Sequence, residues 1–177
     1  MDHKDDVLNE TKWLKFVKRM YINKNGKLAE WDFVKRPDDI QIVVIIARTV
    51  KTRSFIVIKQ YRAPFDDYNY ETPAGLVDKG ETLEEAAVRE LREETGYTGD
   101  VVSVGGPIAS SAGLTNEVSH MVYMDVDEEP EYDQKLEDTE SIEVLKIAPE
   151  EVADFLKLNE EKGAVFGAKL YCTLKEV

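Results

Sequence analysis

The sequence predicts an α/β/α sandwich built on a mixed sheet, and three observations carry that reading. Ile40–Arg48 (IQIVVIIAR) is β-branched and almost continuously apolar, the pattern of a strand covered on both faces. Several further strand patterns are interleaved with one strongly marked helix in mid-chain. Two more helical patterns close the chain, so helices are available for both faces of the sheet. At 177 residues the chain suits one domain with a sizeable core, and no internal repeat is visible.

Residues 1–37 read as a polar leader followed by a β-hairpin, and 38–177 as the main domain. The hairpin arms run over Trp13–Ile22 and Leu28–Arg36, with Asn25-Gly26 as a favoured tight turn. Pro37, Asp38 and Asp39 break that pattern before the apolar strand begins. Ser54–Gln60 alternates as the next strand, and strands are expected near Val101–Ala109, Val118–Val126 and Ser141–Ile147. Asp127–Asp138 (DEEPEYDQKLED) is acidic and turn-rich, hence an exposed loop. Pro149–Leu158 and Ala164–Leu174 are the closing helices, the first with Pro149 near its start.

The central helix carries the chemistry. Thr82 followed by Glu85 forms a capping box, and Gly96 stands where a left-handed residue ends a helix. Leu83, Ala86, Ala87 and Leu91 make a narrow apolar stripe suited to packing on a sheet. Glu90, Glu93 and Glu94 are spaced so that all three project from one side, where they repel one another. A divalent cation reverses the sign of that term, and Mg²⁺ takes one or two carboxylates while leaving positions for substrate phosphates. Arg89, one turn from Glu85 and Glu93, is placed to restrain them. A solvated acidic surface helix is the commoner meaning of such a run.

Composition narrows the function classes. Hydrophobic residues make up 42% and charged residues 33%, a globular balance without low-complexity segments. A net charge of −13 argues against nucleic-acid partners, whose binding needs a basic face. It also opposes any anionic substrate unless bound metal and a few arginines invert the field locally. No apolar run approaches a membrane span, and MDHKDDVLNE is too polar for a signal peptide. The single cysteine, Cys172, sits in an apolar pattern as a core residue; with no disulfide framework, a reducing cytoplasm is the expected compartment. His3 and His120 are isolated, which disfavours a zinc site or a histidine-centred triad.

The full spacing goes further. Five residues separate Gly75 from Glu81, and seven more lead to Arg89-Glu90-Leu91-Arg92-Glu93-Glu94, with Gly96 and Tyr97 closing the run. This resembles the Nudix box at every fixed position, the signature of hydrolases acting on a nucleoside diphosphate linked to another moiety. At ordinary residue frequencies a chance match is on the order of one in ten million. The resemblance covers nearly the whole chain and points to the ADP-ribose and ADP-sugar pyrophosphatase branch.

That resemblance implies a set of sites. Glu90, Glu93, Glu94 and the Ala74 carbonyl of ETPAG would hold Mg²⁺, with Mn²⁺ as a substitute, and Arg89 would support them. Arg62 of KQYRAP would grip the diphosphate, a task for a guanidinium fork; Glu71 would have a structural role. Glu140 of EDTESIEV would be the general base, with Glu143 as the fallback. The N-terminal hairpin would be exchanged in a homodimer, Trp13 and Trp31 sandwiching the base beside Asp32 and Arg36. Read from the residues alone, two tryptophans in a short hairpin are better explained as capping the core or filling a dimer interface, and only the resemblance puts base stacking ahead. Ser111 and Gly113 of SSAGLTNE would meet the distal sugar. Here the chain departs from the branch, which usually places a proline where Ala112 stands, so GDP-mannose and other nucleoside diphosphate sugars stay open as substrates. A catalytically silent nucleotide-binding regulatory module is the reading from another class.

Overall fold

The computed structural model describes residues 5–36 and 40–176. The expected breakers Pro37, Asp38 and Asp39, and the isolated His3, lie outside the described residues. The chain forms two compact units: the described residues up to Ile42 together with Pro107–Ser119, and Val43–Gly106 together with the chain from His120 onward.

The first unit is a three-stranded antiparallel sheet of β1 (Asp5–Glu10), β2 (Lys15–Ile22) and β3 (Leu28–Lys35), in that order. The polar leader is therefore in part a strand. Its DDVLNE sequence hides the fact because β1 is an edge strand whose residues are almost all exposed, so no apolar alternation is required. The hairpin turn also differs from the tight Asn25-Gly26 turn. Gly26 alone has positive φ, at 73°, while Asn23 N donates to Lys27 O at 2.9 Å and Gly26 N to Asn23 O at 2.9 Å. This is a three-residue loop with a bulge glycine, stabilised by Asn23 Oδ1, which accepts from the Asn25 and Lys27 amides. Trp13 falls in the turn between β1 and β2, where Thr11 N donates to Leu14 O at 2.8 Å.

The larger sheet has the strand order β11-β6-β5-β4-β9-β8, with β10 also paired to β5 and β7 to β4. Its strands are β4 (Ile42–Thr49), β5 (Phe55–Arg62), β6 (Asp67–Glu71), β7 (Ala74–Leu76), β8 (Gly99–Ala109), β9 (Val118–Val126), β10 (Ile142–Ile147) and β11 (Val165–Phe166). The β11–β6 pair is parallel and β5 pairs antiparallel with β4, β6 and β10, so the sheet is mixed as expected. The helices are α1 (Leu83–Thr95), α2 (Val152–Glu161), entered through a 3₁₀ turn at Pro149–Glu151, and α3 (Ala168–Lys175).

Both faces of this sheet are covered. Val43, Ile45 and Ala47 of β4, with Ile56 of β5, pack against Ala86, Ala87 and Leu91 of α1. Phe55 and Val57, which alternate with Ile56, face Leu156 of α2 and Leu170 and Leu174 of α3. The apolar run of β4 reads as it does because neighbours on either side are buried. The last helix is shorter than expected: Val165–Phe166 pairs with β6, and Gly167 N donates to Tyr70 O at 2.7 Å before α3 begins. Cys172 is exposed rather than in the core. Leu170 and Leu174, one turn apart, define the buried face of α3, and Cys172 lies between them in sequence, on the other side.

Candidate active site

The site in the second unit is organised by α1. Its first turn carries the expected capping box: Glu85 N donates to Thr82 Oγ1 at 3.2 Å and Thr82 N to Glu85 Oε2 at 2.9 Å. Its end is fixed by Gly96 at φ 76°, whose N–H reaches Arg92 O at 2.9 Å. Because Glu85 serves the cap, Arg89 does not restrain it as expected. Arg89 instead forks onto Glu81, with Nε to Oε1 at 2.8 Å and Nη2 to Oε2 at 2.9 Å. From there Nη1 reaches Glu90 Oε1 at 2.7 Å and Glu93 Oε2 at 3.3 Å, and Nη2 reaches Leu76 O at 2.9 Å.

One guanidinium thus binds three carboxylates and the end of β7. The hydrogen bonds from Arg89 hold Glu81 well below the usual carboxylate range, at about 2. Glu81 had no assigned role in the sequence reading. It precedes the helix, so helical spacing could not pair it with Arg89, and only its fixed place in the signature marked it.

Glu90 and Glu94 lie one turn apart beside β7. Gly75 leaves the space in which the Glu90 carboxylate lies, since a Cβ there would push that carboxylate aside. Glu94 is buried, and its Oε2 accepts from Ala74 N at 3.1 Å. Burial pushes the Glu94 carboxyl up to about 8, against the Ala74 amide and with help from the charges of Glu90 and Glu140. Burial also raises Glu90, with Arg89 opposing and Glu93 and Glu140 adding to the rise.

Among the described residues no group of three His, Cys, Asp or Glu side chains is placed to hold a metal ion. Arg89 draws Glu90 and Glu93 to itself, and the Ala74 amide draws Glu94. A hard cation needs only one or two protein carboxylates when waters and phosphates complete its shell. Two mutually repelling, desolvated carboxylates against a glycine backbone are a donor set that fits such an ion.

Arg62, at the end of β5, makes a bidentate pair with Glu71, both contacts at 2.8 Å. The hydrogen bond to Glu71 raises Arg62 most, the Glu94 and Glu140 charges add to that rise, and the Arg62 charge in turn lowers Glu94, so these groups share one field. Glu140 Oε2 accepts from Glu137 N at 2.9 Å. Glu143 points elsewhere: it is exposed on β10 and pairs with Lys59 at 3.6 Å.

The first unit assembles some of the other predicted residues. Trp31 Nε1 donates to Gly113 O at 3.1 Å beside a cavity of about 340 Å³ lined by Arg19, Trp31, Phe33, Ala112, Thr115 and Asn116. Ser111 shapes that wall, its carbonyl accepting from the Leu114 and Thr115 amides at 2.9 Å. Arg36 Nε donates to Glu117 Oε2 at 3.1 Å, a partner the sequence did not suggest. Trp13, 61% exposed under the Lys12 ammonium, and the exposed Asp32 do not line the cavity.

Residues 39–172 match the family model described as the NUDIX domain. An ADP-sugar pyrophosphatase of Mus musculus is 36% identical over 125 residues, covering 67% of this chain and 57% of that protein. The chain thus spans little more than half the length of the mouse relative. An ADP-ribose pyrophosphatase of Saccharomyces cerevisiae is 33% identical over 174 residues, 92% of this chain and 75% of the yeast protein. One from Bacillus subtilis is 32% identical over 157 residues, 86% of this chain and 80% of that protein. A crystal structure described as an ADP compounds hydrolase superposes with a TM-score of 0.72 at 20% identity, covering 89% of this chain and 84% of that one; it supports the fold alone.

Proposed function

Because the chain belongs to the NUDIX family, we propose that it is a Mg²⁺-dependent pyrophosphohydrolase that cleaves ADP-ribose or a related nucleoside diphosphate sugar. The observation that carries this reading is the pair of desolvated carboxylates, Glu90 and Glu94, set against Gly75 and Ala74 on the signature helix. The pyrophosphatase activity named for three relatives at 32–36% identity supports the same reaction.

Glu90, Glu94 and the Ala74 carbonyl would hold the ion, with Glu93 supporting and Arg89 keeping the carboxylates in place in its absence. When bound, Mg²⁺ neutralises the diphosphate and makes water more acidic. Glu140 takes a proton from the attacking water, whose oxygen bonds to phosphorus as the bridging P–O bond breaks. Its charge acts on both Glu90 and Glu94, which favours it over Glu143. Arg62, braced by Glu71, steadies the phosphate oxygens that are not attacked. The products from ADP-ribose are AMP and ribose 5-phosphate.

In the first unit Trp31 stacks on the base, with Trp13, Asp32 and Arg36 contributing from a hairpin exchanged in a homodimer. Ser111 and Gly113 meet the distal sugar. Ala112 in place of the usual proline keeps a second specificity, for another base or sugar such as GDP-mannose, in play. A single unpaired cysteine suits a reducing cytoplasm.

Incubating the protein with Mg²⁺ and a panel of nucleoside diphosphate sugars, then weighing the products, tests the proposal. We expect AMP and ribose 5-phosphate from ADP-ribose. Binding of ADP-ribose without cleavage at any Mg²⁺ or Mn²⁺ concentration would establish the silent regulatory module instead.

A further inference from the structure

The end of α1 is closed by the acidic loop that follows β9. Lys135 N donates to Glu93 O at 2.8 Å, and Glu131 N and Tyr132 N both reach Gly96 O at 3.1 Å. Gln134 Nε2 donates to Glu94 O at 2.6 Å. These are carbonyls that a helix end leaves without intrahelical partners. Tyr132 lies 5.5 Å from the Arg92 guanidinium, and its carbonyl occupies the space a Cβ on Gly96 would need.

The same Gln134 nitrogen also faces Ile142 O, the first residue of β10, at 3.4 Å. Both neighbours are carbonyl oxygens, so the amide must present its donor side. One side chain therefore ties the end of α1 to the start of β10, and Glu140 lies on the stretch of chain between the two anchors. Within that stretch Glu140 N donates to Glu137 O at 2.9 Å while its carboxylate accepts the Glu137 amide, a turn with both ends bonded.

We propose that Gln134 is a positioning residue: by bridging the Glu94 and Ile142 carbonyls it sets where Glu140 stands relative to the Glu90–Glu94 pair. The inference rests on the reading of Glu140 as general base. A residue that merely capped α1 would act on stability, or on turnover through Glu94, whose carbonyl it holds, and its loss would then multiply with that of Glu140.

A double-mutant cycle on the full chain separates these cases. Gln134→Met keeps length and bulk but removes the donor. It should lower kcat roughly 10- to 100-fold, as small misplacements of a reacting group do, with KM held within about twofold. Gln134→Lys, which returns a donor to the negative end of the helix, should recover most of that loss. In a Glu140→Gln background, Gln134→Met should add no further loss, because both changes act through one group. If Gln134→Met does not fold, Gln134→Asn, too short to bridge, takes its place in the cycle. Multiplying losses in the double variant, or a lower Tm with unchanged kcat, overturn the role of Gln134 and leave Glu140 as base. A kcat untouched by Glu140→Gln removes the base assignment and this inference with it.

Discussion

Gly75 and Glu90 meet so closely that the smallest possible substitution is informative. Gly75→Ala places a methyl group in the space of the Glu90 carboxylate, which sits at the end of a flexible side chain and can swing aside. Stability should change little, while kcat/KM falls on the order of 100-fold from the misplaced carboxylate; steady-state kinetics beside a melting curve read both. Glu94 yields a pH prediction. Its folded-state value near 8 lies above the ordinary 4.5, so the fold keeps a proton that the unfolded chain has lost. Stability of the metal-free protein should therefore fall as pH rises from about 4.5 to about 8 and then level off. Glu94→Gln should flatten that slope and nearly abolish Mg²⁺-dependent turnover. Since Mg²⁺ takes the ionised carboxylate, its stabilising effect should be larger at pH 8 than at pH 5; a Mg²⁺ effect independent of pH would remove Glu94 from the ion's shell. At this scale the sequence was most explicit about residues inside the helix, where spacing alone sets neighbours. It did not foretell the partners of Glu81, Glu117 and Gln134, which lie eight or more residues away.

Among elements, α1 is the best specified, because the capping box, apolar stripe and terminal glycine all agree with its helical spacing. Leu91 is fully buried between α1 and the sheet, so Leu91→Ala should cost ~2–5 kcal/mol in a denaturant titration. Thr82→Ala, which removes only the cap, should cost about 1 kcal/mol. Equal costs would mean that α1 is held by its ends rather than by its packed face. β4 and β9 were legible from their apolar patterns, but β6, β7 and β11, of five, three and two residues, are too short for any period to emerge. β1 was hidden for a different reason. Its contribution is through charge: Asp5 pairs with Arg19 and Lys35 across the sheet, contacts that polarity in the sequence cannot distinguish from solvation.

For the whole molecule, the division into two units gives acid stability a local signature. Hydrogen bonding to Arg19, with Lys35 also contributing, holds Asp5 at about 2, below its ordinary 3.8. The stabilisation is present above pH 3.8 and is lost as pH falls through 2. Both tryptophans of the chain, Trp13 and Trp31, lie in this first unit, so their emission should change over that window, and Asp5→Asn should remove the dependence. No helix among the described residues is long and apolar enough to cross a membrane. The layered second unit followed from its strand and helix patterns, whereas the union of the N-terminal strands with Pro107–Ser119 did not, because contacts so remote in sequence leave no periodic trace. Cys172, the lone thiol, stands exposed on α3 in the second unit. A maleimide dye would therefore label each chain once without any engineering. With the indoles as donors, energy transfer to that dye would measure the separation of the two units in solution and track how it responds to nucleotide.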